Sequence, residues 1–104
     1  MNESIPPRLY IEHNIDLWAN SKRKYLTMQE LADRYIIIEI HTRLDFIKFY
    51  KRANIIFGLD NWYMMSRTLV LNSHEELTIF AIEFNGKLTY DVVNKTMERY
   101  LGDY

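Results

Sequence analysis

Residues 25–45 read YLTMQELADRYIIIEIHTRLD, and the reading of the middle of this stretch decides the fold. Thr27-Met28-Gln29-Glu30 matches a capping box, in which a hydroxyl and a carboxylate satisfy the first orphan amides of a helix. Met28, Leu31, Ala32, Tyr35 and Ile38 then share one face, within an arc of about 120° at about 100° per residue. Ile36, Ile37 and Ile40 do not fit that face. Two readings stay open. Either the helix runs on and is buried on several sides, or it ends near Tyr35 and IIIEI is extended, as adjacent β-branched residues favour.

Working outward, a second box at Thr42-Arg43-Leu44-Asp45 predicts a new helix there. On it Phe46, Ile47, Phe49, Tyr50 and Ala53 form an apolar arc, Lys48, Lys51 and Arg52 lie opposite, and Gly58 supplies a C-cap. Upstream, Pro7 followed by Ile11, Ile15 and Trp18 predicts a helix from about Arg8 to Ala19. After Asp60 the period shifts towards two. YMMSRTLVL and LTIFAIEF read as strands joined through NSHEE, a hairpin spanning 63–84. A helix competes for the second of these, because Ser73-His74-Glu75-Glu76 is also a capping box with Leu77, Phe80, Ala81 and Phe84 behind it. Thr89 caps a last expected helix over residues 90–101.

The chain has 104 residues, 48% of them hydrophobic, which suits one core and not two. The expectation is a single domain over residues 1–104, ordered except at about 1–6 and 102–104. The net charge of -1 announces neither a polyanionic nor a polycationic partner. Charge is nevertheless polarised: residues 20–52 hold eight bases against four acids, and residues from Gly58 onward hold four against seven. With no cysteine, disulfide frameworks, thiolate zinc sites and cysteine nucleophiles are excluded. No leader-like or membrane-length apolar run is present, so the expected location is the cytoplasm and no membrane partner is expected.

The order helix, short edge at Tyr25 and Leu26, helix, helix, strand, strand, helix resembles the winged helix-turn-helix superfamily. YLTMQELADRY, residues 25–35, carries the likeness over about a tenth of the chain. The sequence departs from it at the turn, where Ile36, Ile37 and Ile38 replace small polar residues, and in the acidic candidate wing, where Glu75, Glu76 and Glu83 face Lys87 alone. The resemblance implies a compact α+β winged-helix-like domain with about four helices and a small antiparallel hairpin. It also implies that residues 28–35 support a recognition helix over 42–53, with Thr42 and Arg43 nearest base edges and Lys48, Lys51 and Arg52 on phosphates.

Two functions follow. The first is a small regulatory protein, a homodimer, that binds double-stranded DNA through Thr42, Arg43, Lys48, Lys51 and Arg52, with Lys22, Arg23 and Lys24 from the basic loop. The second is a protein-interaction module, a regulator, adaptor or inhibitor that uses an aromatic surface, motivated by 8 Tyr, 5 Met and 2 Trp. Beside these stand plainer readings: a solvated helix face for Lys48, Lys51 and Arg52, a solubilising loop for 22–24, and an arginine stem lying over the core for Arg43. His13, His41 and His74 fall on separate elements without ligand spacing, and no phosphate loop exists. No metal, cofactor or enzymatic activity is therefore expected.

Overall fold

The computed structural model describes residues 5–13 and 28–93, and within them IIIEI is a strand. Residues 7–13 are helical (α1). There follow α2 (Met28–Arg34), β1 (Ile36–Ile40), α3 (Phe46–Phe57), β2 (Trp62–Met65), β3 (Thr68–Leu71), α4 (His74–Glu83) and β4 (Tyr90–Val92). The four strands form one antiparallel sheet in the order β2-β3-β1-β4. β1-α3-β2 and β3-α4-β4 are thus interleaved as a split βαβ arrangement.

The isoleucines are explained by a sheet covered on both faces. Successive side chains of a strand point to opposite sides. Ile36, Ile38 and Ile40 join Trp62, Met64, Leu69 and Leu71 in one core, closed by Phe49, Ala53 and Phe57 of α3 and Phe80 of α4. Ile37 points the other way and joins Val70, with Ile11 of α1, Leu31 of α2 and Tyr35 just after α2 above them. A central strand buried on both sides reads as an unbroken apolar run, which a helix-period analysis cannot sort.

The helix-turn-helix expectation is corrected here. Its turn would fall at Ile36–Ile38, which instead lie in β1, and α2 and α3 cover opposite faces of the sheet. The hairpin at 63–84 is corrected as well. It closes earlier, at Ser66-Arg67, pairing Met65 with Thr68 and Trp62 with Leu71. Residues 77–84, expected as strand after a loop at 72–76 with a helix as the competing reading, belong to the helical alternative: His74–Glu83 form α4. Ser73 accepts from the Glu75 amide at 3.3 Å and donates to Glu76 Oε1 at 2.5 Å, so the serine N-cap prevails over the β-branched residues behind it. Thr78 adapts by donating its hydroxyl to the His74 carbonyl at 3.1 Å. Tyr90–Val92, expected to open a helix, is the edge strand β4 on β1; residues 94–101 of that expected helix, like residues 14–19 of the first, lie outside the described residues.

Two ties set the covering helices. The Tyr35 hydroxyl donates to the Ile5 carbonyl at 2.5 Å, so Ile5 is held although it lies in a stretch expected to be loose. Burial pushes the Tyr35 phenol up to about 12, from an ordinary 10.0. Arg8 donates from Nε to the Leu59 carbonyl at 2.8 Å and lies 5.0 Å from the Trp62 ring centroid and 5.5 Å from that of Tyr63, fastening α1 to the β2 edge.

Candidate functional site

α3 is the element on which the sequence concentrates its functional signals, and its packing on the sheet settles which way those residues point. The second capping box does not form. Asp45 is the N-cap, its carboxylate accepting from the Lys48 amide at 3.2 Å, so the helix starts at Phe46, later than the Thr42 start expected, and runs to Phe57. Thr42 is drawn elsewhere: its hydroxyl accepts from the Thr89 amide at 2.6 Å, next to the His41 amide bond to the Thr89 carbonyl, and fixes the loop that leads to β4. Gly58 closes α3 as expected, at φ 89° with its amide on the Asn54 carbonyl.

From this start Phe49, Ala53 and Phe57 face the core. The apolar arc expected from the sequence is therefore rotated. Ile47, placed within it, is 71% exposed, and Phe46 and Tyr50 are 46% and 42% exposed. Ile55 is 72% exposed on the same helix, and Ile82 of α4 is 74% exposed. Phe46 meets Tyr50 edge to face at 6.4 Å, and Tyr50 meets the buried Trp62 at 5.0 Å, so the exposed ring is braced from behind. This apolar flank is the feature that sequence reasoning missed. The signal available was the i, i+4, i+8 row of Phe49, Ala53 and Phe57, which puts the centre of the buried face away from Ile47.

The bases divide. Lys48 and Lys51 are exposed beside Ile47 and Ile55, and Arg43 is exposed before the helix. Arg52 is engaged: Nε donates to Glu83 Oε2 at 2.6 Å and Nη2 to Oε1 at 2.9 Å, a fork that ties α3 to α4. That hydrogen bond lowers the pKa of the Glu83 carboxyl and raises that of Arg52, so each favours the ionised form of the other. Lys22, Arg23 and Lys24 lie outside the described residues. The structure thus brings Lys48 and Lys51 together, leaves Arg43 apart, and commits Thr42 and Arg52 to holding the fold.

Among the described residues most tyrosines, and Trp62, are structural. Trp62 and Tyr35 are buried, and Tyr10, Tyr63 and Tyr90 are half-buried, while Trp18, Tyr25, Tyr100 and Tyr104 lie outside the described residues. The three histidines are exposed, and His41 Nε2 lies 2.8 Å from Asp91 Oδ2. Among the described residues no group of three or more His, Cys, Asp or Glu is placed to hold a metal ion, and no helix is long and apolar enough to cross a membrane. No protein-family model, no curated protein and no solved structure matches this chain.

Proposed function

We propose that this chain is a protein-interaction module whose docking surface is the outer flank of α3, with Phe46, Ile47 and Tyr50 as apolar anchors and Lys51 beside them. The observation that carries the reading is the exposure of these three neighbouring large apolar side chains on one turn of a helix. Single exposed apolar residues are ordinary, but a contiguous group bordered by charge is the composition of an interface centre and its rim. Tyr50 suits an anchor because its ring is already held against Trp62 and loses little freedom on binding. Lys48 and Lys51 favour a partner segment that carries carboxylates around its own apolar residues.

The duplex-DNA reading keeps only Arg43, Lys48 and Lys51 of the described site residues, because Thr42 and Arg52 have partners. It also loses the helix-turn-helix frame, and it would lay Ile47 and Ile55 against phosphate. A photo-crosslinking side chain placed at Lys51 in cells tests the choice. A discrete protein adduct that disappears with Ile47→Glu supports docking; adducts to nucleic acid, or none that Ile47→Glu removes, overturn it. Fluorescence anisotropy with a random-sequence duplex at low salt, beside the Lys48→Glu, Lys51→Glu variant, gives the same decision from the DNA side.

A further inference from the structure

The second surface lies on the other flank of α3, where it meets α4. β1 and β2 are both antiparallel to β3, and β4 is antiparallel to β1, so β1 and β2 run one way and β3 and β4 the other. α3 returns from β1 to β2 and α4 from β3 to β4, which makes the two helices antiparallel neighbours on one face of the sheet. Arg52 and Glu83 join them and mark a common height.

At about 100° per residue, turning outward from the core on α3 passes Arg52, then Lys48, Ile55 and Lys51. Turning outward on α4 passes Glu83, then Ile79 and Ile82. These residues border the α3–α4 furrow, which the partly exposed Arg52–Glu83 pair bridges, with Ile79 packed in part against the core. Ile55 lies three residues beyond Arg52, and Ile82 one residue before Glu83. At about 1.5 Å per residue, antiparallel helices put both on the same side of the pair and within about 3 Å of one height.

We infer that this furrow seats a second copy of the chain, in a two-fold dimer that lays α3 of each copy on α4 of the other. A two-fold axis along the furrow preserves height, so Ile55 of one copy meets Ile82 and Ile79 of the other, and the contact occurs twice. Charge fits the same placement. Lys51 of one copy comes level with Glu83 of the other, and Lys48 comes to the C-terminal end of α4, whose last turn holds no basic residue to meet its carbonyls. The alternative, α3 upon α3, would bring Lys51 against its own copy near the axis.

This surface shares Lys48 and Lys51 with the Phe46–Tyr50 flank but none of its apolar anchors, so glutamate at Ile47 on one side and at Ile55 or Ile82 on the other tells the two readings apart. The chain has no cysteine, which makes single replacements informative. Sedimentation equilibrium of the full chain should show a dimer that Ile55→Glu or Ile82→Glu abolishes, with the circular dichroism spectrum unchanged, and that Ile47→Glu leaves intact. Mixed Ile55→Cys and Ile82→Cys chains should oxidise to the crossed 55-to-82 dimer in excess over either symmetric one. A monomer at all concentrations, a dimer indifferent to both glutamate variants, or crossed product at no more than the random proportion would each overturn the inference.

Discussion

Trp62 Nε1 donates to Asn54 Oδ1 at 2.9 Å, so an indole 1% exposed on the edge strand β2 relies on a side chain from α3 for its single hydrogen bond. Asn54→Leu leaves that donor without an acceptor. The expected loss is about 1–3 kcal/mol, the cost of an orphaned buried donor. Asn54→Asp, which keeps an acceptor oxygen, should lose less. Urea unfolding followed by circular dichroism checks both.

Ser66 sits at φ 58° as the first residue of a two-residue hairpin turn, and it is the one non-glycine residue at positive φ among the described residues. Positive φ at the first position alone is the pattern of a type II′ turn, which favours glycine there. Ser66→Gly should stabilise the protein by about 0.5–1 kcal/mol, the strain relieved outweighing the added freedom of the unfolded chain. A lower melting temperature in this variant would count against the strain.

The buried Tyr35 phenol ionises only near pH 12, against 10.0 when exposed. A raised folded value means that the folded state holds its proton longer. The stabilisation is complete below about pH 10 and is lost as pH rises from there through about 12. Tyr35→Phe should flatten this alkaline limb and cost about 1 kcal/mol at neutral pH through the lost bond to Ile5. Thermal melts of both proteins across that window make the comparison.

Ser73 and Glu76 form the cap that launches α4, and Glu76 is buried at 8% exposure. Ser73→Ala removes both the acceptor for the Glu75 amide and the donor to the Glu76 carboxylate, at a cost of about 1–2 kcal/mol. Ser73→Thr keeps the hydroxyl and should recover most of it. Equal melting temperatures for the alanine and threonine variants would remove the cap from this account.

Much of the local structure was written in short-range chemistry. The amphipathic face of residues 28–34, Pro7 at the start of α1, Gly58 after α3 and the extended alternative for IIIEI all come from spacing and capping alone. Two boundaries failed, one where a capping signal competed with a tertiary bond and one where a turn carried no signal. Thr42 satisfies a capping pattern, but pairing with Thr89, 47 residues away, claims its hydroxyl. Ser66-Arg67 contains none of the glycine, proline or asparagine that marks a tight turn, so a nine-residue stretch read as one strand was in fact two halves of a hairpin.

By itself, then, the sequence determined that this is an α+β chain without cysteine chemistry, with an isoleucine-rich segment too apolar for any turn and a helix rich in lysine beside it. Tertiary structure decided the rest. Ile37 and Ile38 are neighbours in the chain and belong to two different cores, because β1 takes helices on both its faces. The same sheet sets the rotation of α3 by claiming Phe49, Ala53 and Phe57, and that rotation leaves Ile47 and Ile55 in water. Periodicity fixes which residues share a helix face; only the partner packed against the helix fixes which face is buried.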